Sequence, residues 1–126
     1  MKVQPIHMKL AFWGWITALF VAALIPGVGF THARIAGFVF RADYLVHALV
    51  FFGITAIFAH ARSRGVDVLN QYGWQKLVVL CLALTVSIET LQGLTGRTFS
   101  YHDMVANCVG LSVGLLLFMT IERIRA

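Results

Sequence analysis

Three residue pairs in this 126-residue chain have the types and spacing to do chemistry together: Asp43 with His47, Glu89 with Gln92, and Asp103 with Asn107, with Arg97 between the last two pairs. Spacings of three or four place both members of a pair on one face of a helix. Carboxylates, an imidazole, amides and a guanidinium are the groups that move protons, ligate divalent cations or hydrogen-bond a polar headgroup. Their setting is unusual. Only five residues of the chain are acidic, and the set takes three of them, within or at the start of apolar runs where polar groups are costly to desolvate.

Glu89 carries most of the functional weight, because an intramembrane carboxylate points to a site and calls for a partner, here His47 or Arg97. With His47 it could act as an acid–base pair, and Asp43, His47, Glu89 and Asp103 together offer oxygen and nitrogen donors to a divalent metal. No HExxH or comparable motif is present, and no nucleophile elbow surrounds Ser87, Thr98 or Ser100. Catalysis is therefore permitted without being indicated; no catalytic residue, cofactor or metal site is assigned. The competing reading is an interhelical hydrogen-bond network that fixes packing, at about 0.6 kcal/mol per bond. Gln92 and Asn107 fit that reading well, and Asp103 taken alone is most simply a helix N-cap. His32, His60 and His102 sit at helix ends or in loops, where an interfacial role suits them better, with His102 beside Asp103 a weaker addition to the set.

The elements that must position these residues follow from composition. Apolar residues make up 60% of the chain and charged residues 12%, about half the charged share of a soluble domain. Too little polar surface is available to cover a water-soluble fold of this size, so the chain is an integral membrane protein of one domain, 1–126. The net charge of +5 is dispersed over short loops, with no basic helix face, which argues against nucleic acid as a partner. Cys81 and Cys108 lie in apolar runs without metal-ligand spacing and read as small buried hydrophobes. No repeat, linker or low-complexity segment appears.

Hydropathy places four helices at about 10–30, 42–60, 76–94 and 103–121, each near the length a bilayer requires. The first could be a signal peptide, but no small-x-small cleavage site ends it and three more spans follow, so it is expected to be retained. Residues 31–41 read as a mixed connector that could dip into the interface around Gly37–Phe40. Trp74 stands where an interfacial anchor is expected. Asp103 is expected to cap the last helix, and Gly93 and Gly96 to end the third. Gly110 and Gly114, four apart, offer a surface for close helix packing. The fold class is all-α: a four-helix transmembrane bundle, up-down-up-down.

Lys and Arg set the orientation. Seven of them (Lys2, Lys9, Arg62, Arg64, Lys76, Arg123 and Arg125) fall on one side and three (Arg34, Arg41 and Arg97) on the other. The positive-inside bias puts both termini in the cytoplasm. Asp43, His47, Glu89, Gln92, Arg97, Asp103 and Asn107 then share the outer side. At 1.5 Å per residue, Glu89 lies about 12 Å below the outer surface, and His47 and Asn107 about 6 Å deep.

The series Asp43-x3-His47, Glu89-x2-Gln92, Arg97, Asp103-x3-Asn107-x2-Gly110-x3-Gly114 resembles the pattern of the VanZ-like membrane proteins. The resemblance covers about 42–117, and the four-helix layout extends it over nearly the whole chain. It implies a small bacterial multipass protein of the cytoplasmic membrane, in a family whose founding member is associated with teicoplanin resistance. Many such proteins have Lys directly after the first Asp, where this chain has Tyr44. Asp43 must then find Arg41, Arg97 or His47 instead.

Three functions are compatible with the sequence. The leading one is an envelope protein whose outer-facing polar pocket binds a lipid headgroup or a cell-wall precursor. The second is a membrane-embedded enzyme acting on a lipid-linked substrate, with Glu89 and His47 as acid–base or metal site. The third is a structural partner protein whose polar cluster only locks the bundle. The expected partners are the bilayer and such a lipidic ligand, with the oligomeric state left open.

Overall fold

Four apolar runs become four long helices in the computed structural model, which describes residues 5–25, 32–35, 38–69, 73–96 and 98–126. All four are long and apolar enough to cross a membrane. The first, α1 (Pro5–Leu24), begins at a proline, whose fixed φ and missing N–H suit the first helical position. It stops at Leu24 rather than running on towards residue 30, because Ile25 precedes Pro26 and the residue before a proline is disfavoured in the α region.

The connector that follows is ordered differently from the mixed loop expected of it. Strands β1 (His32–Ile35) and β2 (Phe38–Arg41) pair antiparallel, with His32 opposite Arg41 and Ile35 opposite Phe38. The aromatic and β-branched stretch Phe38-Val39-Phe40 has the composition that favours a strand. Apart from this short hairpin, the described elements are helical.

Helix α2 (Ala42–Ser63) runs past residue 60, and its end is set by backbone chemistry. Gly65 has φ +70°, and Val66 and Gly65 donate to the Ala61 and Arg62 carbonyls, each at 2.9 Å. This Schellman arrangement satisfies carbonyls the helix would leave open and tucks the buried Val66 against its last turn. Helix α3 (Gly73–Leu94) contains Gly93, and the left-handed residue that follows it is Gly96, φ +85°. Helix α4 (Tyr101–Arg125) starts at Tyr101, not at Asp103. Its N-cap is Ser100, whose hydroxyl accepts the Asp103 N–H at 3.3 Å. Asp103 is therefore in the first turn, and its carboxylate is available for contacts outside its own backbone.

The helices pack up-down-up-down. Helix α2 makes its most extensive contact with α4, and the two run parallel in a constant register: His47 meets Asn107 and Arg62 meets Glu122, both pairs 60 residues apart. Small residues make this approach close. A Cβ on Gly110 would run into the Ala48 carbonyl, and one on Gly114 would stand 2.7 Å from Thr55 Cβ. Helix α1 lies antiparallel across α2, with the Trp15 indole donating to the Val50 carbonyl at 3.2 Å and its ring filling the space over Gly53. Phe12, Phe51, Ile54, Phe58, Leu77, Cys81 and Ile88 form the apolar interior. Val79, Leu10 and Leu116 are among the large apolar side chains left facing outwards, as a bilayer-embedded surface requires.

At the end of the bundle away from the polar pairs, Glu122 ties three helices together. Its two carboxylate oxygens accept from Arg62 Nε at 3.1 Å and Trp74 Nε1 at 3.0 Å. Trp74 also packs edge-on against Phe58, with centroids 5.0 Å apart, so it anchors α3 to the bundle as well as standing at the span's end.

Candidate functional site

The parallel register of α2 and α4 brings their first turns together, and with them the two polar pairs. Asp43 and His47 project from α2 towards Asp103 and Asn107 of α4. His47 Nδ1 lies 2.9 Å from Asn107 Oδ1, and His47 Nε2 lies 3.7 Å from Asp103 Oδ2. Asp43, Asp103 and Asn107 are buried, with Asn107 wholly inaccessible, while the His47 side chain keeps 12% of its surface exposed. One donor atom from each of Asp43, His47 and Asp103 lies within 4.8 Å of the other two. Residues 60 apart in the chain thus meet through a helix contact that depends on Gly110 and Gly114.

The third pair comes from α3 and divides. Gln92 is buried and lines a cavity of about 180 Å³ together with Asp43 and His47. Leu19, Ala22 and Ala23 of α1 form the wall facing them, and Val50, Phe51 and Ile88 close the deeper end. Glu89 is fully buried and is not on that wall; its Oε2 accepts the Ser100 N–H at 3.3 Å. This contact joins α3 to the cap of α4 and so helps to set where Asp103 stands. Arg97 lies outside the described residues. Of the seven residues read as a pocket from the sequence, four converge as a cluster, Gln92 joins them across the cavity, and Glu89 contacts the Ser100 N–H at the cap of α4.

Several participants carried no signal in the sequence. Leu19, Ala22 and Ala23 line the cavity as ordinary apolar residues, and only the antiparallel packing of α1 puts them there. Ser100, one of three hydroxyls without an activating motif, caps α4 and offers its N–H to Glu89. The other two hydroxyls, Ser87 and Thr98, are exposed. Tyr44 stacks on His102 with centroids 6.0 Å apart, across the same α2–α4 interface. Both cysteines are free, Cys81 buried and Cys108 partly so.

Chemically the cluster offers an imidazole held by an amide on one side and facing a carboxylate on the other, beside a cavity that is apolar except at one end. Such a site can hydrogen-bond a polar group, take up a proton or hold a cation. A family model described as VanZ/LLP1 matches residues 7–122. No curated protein and no solved structure matches the chain.

Proposed function

We propose, from the premise that the chain belongs to the VanZ/LLP1 family, that this multipass membrane protein binds an amphiphile, seating a lipid headgroup or the head of a lipid-linked cell-wall precursor in an outer-facing polar pocket. The observation that supports this is the gradient inside the cavity. Asp43, His47 and Gln92 stand nearer the helix ends, while Leu19, Val50, Phe51 and Ile88 lie about one turn deeper. Polar at the membrane surface and apolar towards the midplane is the polarity of a lipid itself. The volume of about 180 Å³ is smaller than the roughly 300–1,000 Å³ of a site for a whole drug-sized ligand. It suits a headgroup and its first methylenes, with the remaining chains left in the bilayer.

Ala22 tests this reading, since it lies on the cavity wall yet is exposed. Ala22→Trp is expected to fill the cavity while leaving folded yield unchanged. Mass spectrometry of lipids retained through detergent purification should then show loss of most of the bound lipid. Equal retention in the variant and the parent would sink the proposal.

The outward orientation rests on the seven-to-three distribution of Lys and Arg. A phosphatase reporter inserted in the 95–101 connector is expected to be active, which requires export. Activity there only from a reporter that works in the cytoplasm would reverse the orientation and put the pocket on the inner leaflet.

A further inference from the structure

We propose that Asp43, His47 and Asp103 form a binding site for one divalent cation of borderline hardness, Mn²⁺ or Zn²⁺. The inference stands independently of lipid binding.

The first ground is a spacing. His47 Nδ1 lies 2.9 Å from Asn107 Oδ1, which turns Nε2 towards Asp103 Oδ2, 3.7 Å away. That separation is longer than a hydrogen bond, which spans about 2.7–3.2 Å. It is near the roughly 3.4 Å between two donors bound to one metal ion at about 2.0–2.2 Å in tetrahedral geometry.

The second ground is a buried group without a donor. Asp103 is 3% exposed, and its Oδ1 has no hydrogen-bond partner among the described residues. A buried carboxylate oxygen in that condition is costly, and a cation bound through both oxygens of Asp103 removes the cost. Asp43 supplies the third donor, with one ligand atom of each of the three residues inside 4.8 Å of the others. A bound ion draws these atoms in to roughly 3.4 Å from one another.

The surroundings have the form of a metal site's outer shell. Histidine ligands commonly donate their second ring N–H to an oxygen that fixes tautomer and ring orientation, and Asn107 Oδ1 does this for His47. Asp43 and Asp103 bring negative charge to a divalent ion in a low-dielectric setting. The donor set of two oxygens and one imidazole nitrogen, without thiolate or thioether, selects Mn²⁺ or Zn²⁺ over Cu⁺ and gives too few oxygens for Ca²⁺. Because Asp43 and His47 also line the cavity, the ion's remaining coordination positions open towards it. The sequence holds no local metal motif because its ligands come from two helices.

The test is metal content and affinity of the detergent-purified full chain, stripped with chelator and titrated with Mn²⁺ and separately with Zn²⁺. Expected are one ion bound per chain, a rise in thermal unfolding temperature on loading, and loss of that rise in His47→Gln and Asp103→Asn. Asn107→Ala, which removes the orienting contact, should weaken binding about 10–100-fold. Ser87→Ala, at an exposed position on α3 outside the cluster, should bind metal as the parent does. X-ray absorption of the zinc form should show nitrogen and oxygen ligands with one imidazole. Absence of binding by the stripped parent chain overturns the proposal. So does binding that survives both His47→Gln and Asp103→Asn, or sulfur ligation from Cys81 or Cys108.

Discussion

Gly110→Leu is expected to abolish recovery of folded protein, the largest effect of any single substitution in this chain. A Cβ at this position meets the Ala48 carbonyl carbon at 2.7 Å and Ala48 Cα at 2.8 Å, and it collides with the carbonyl oxygen. All three are backbone atoms, so no rotamer change relieves the contact; α2 and α4 must separate. Overpacking an adaptable core costs about 1–3 kcal/mol, and a backbone collision at the main helix interface should cost more. Separation also breaks the His47–Asn107 contact, because both pairs lie on the same seam. Size-exclusion chromatography and thermal unfolding in detergent measure the outcome. Gly14 provides the control, since nothing lies within 4 Å of a Cβ built there. Gly14→Ala should be neutral or slightly stabilising, because alanine is about 1 kcal/mol better than glycine inside a helix. A Gly110→Leu protein that purifies and melts like the parent would show that the α2–α4 seam is not built as described.

The second large effect is at Glu89. Glu89→Leu removes the carboxylate that accepts the Ser100 N–H, at a cost of about 1–3 kcal/mol for a stranded donor. It also loosens the turn that sets Asp103, so both stability and the cluster should suffer. Glu89→Gln keeps an acceptor oxygen at nearly the same volume and is expected to preserve folded yield while losing the charge. The two variants separate binding from packing when measured together for unfolding temperature, retained lipid and an envelope phenotype such as glycopeptide sensitivity. Normal yield with diminished lipid retention or phenotype in Glu89→Gln supports a site. Collapse of yield in both variants makes the residue a packing element. No change in either variant removes Glu89 from both roles.

These predictions differ in how far the sequence alone could have reached them. The polar pairs were legible as pairs, because spacings of three and four put their members on one helix face. Their common level in the membrane was legible too, from hydropathy and helix rise. The cap falls on Ser100 and not on the expected Asp103, because capping preference ranks Asp with Ser and the choice between them depends on where the chain enters the helix. Ser100 takes the cap, which leaves the Asp103 carboxylate to face His47. Glu89 is a site candidate from the sequence because an intramembrane carboxylate points to a function. The fold gives it an identifiable contact with the Ser100 N–H and places it off the cavity wall.

What the sequence determined by itself is local and additive: four apolar spans, the bias of basic residues and the order of polar spacings that resembles the family now matched over residues 7–122. Each follows from how a segment partitions between water and lipid, and no knowledge of its neighbours is needed. What the tertiary structure decided is which faces turn inward and which residues meet. In a membrane the outside of a helix is as apolar as the core, so hydrophobic periodicity loses the signal that it carries in water. Partner choice falls instead to close packing of small residues, and the approach of Gly110 to Ala48 is a contact between helices that no window of sequence contains. That approach puts α2 and α4 in parallel register, assembles Asp43, His47, Asp103 and Asn107, and leaves a polar-ended cavity beside α1.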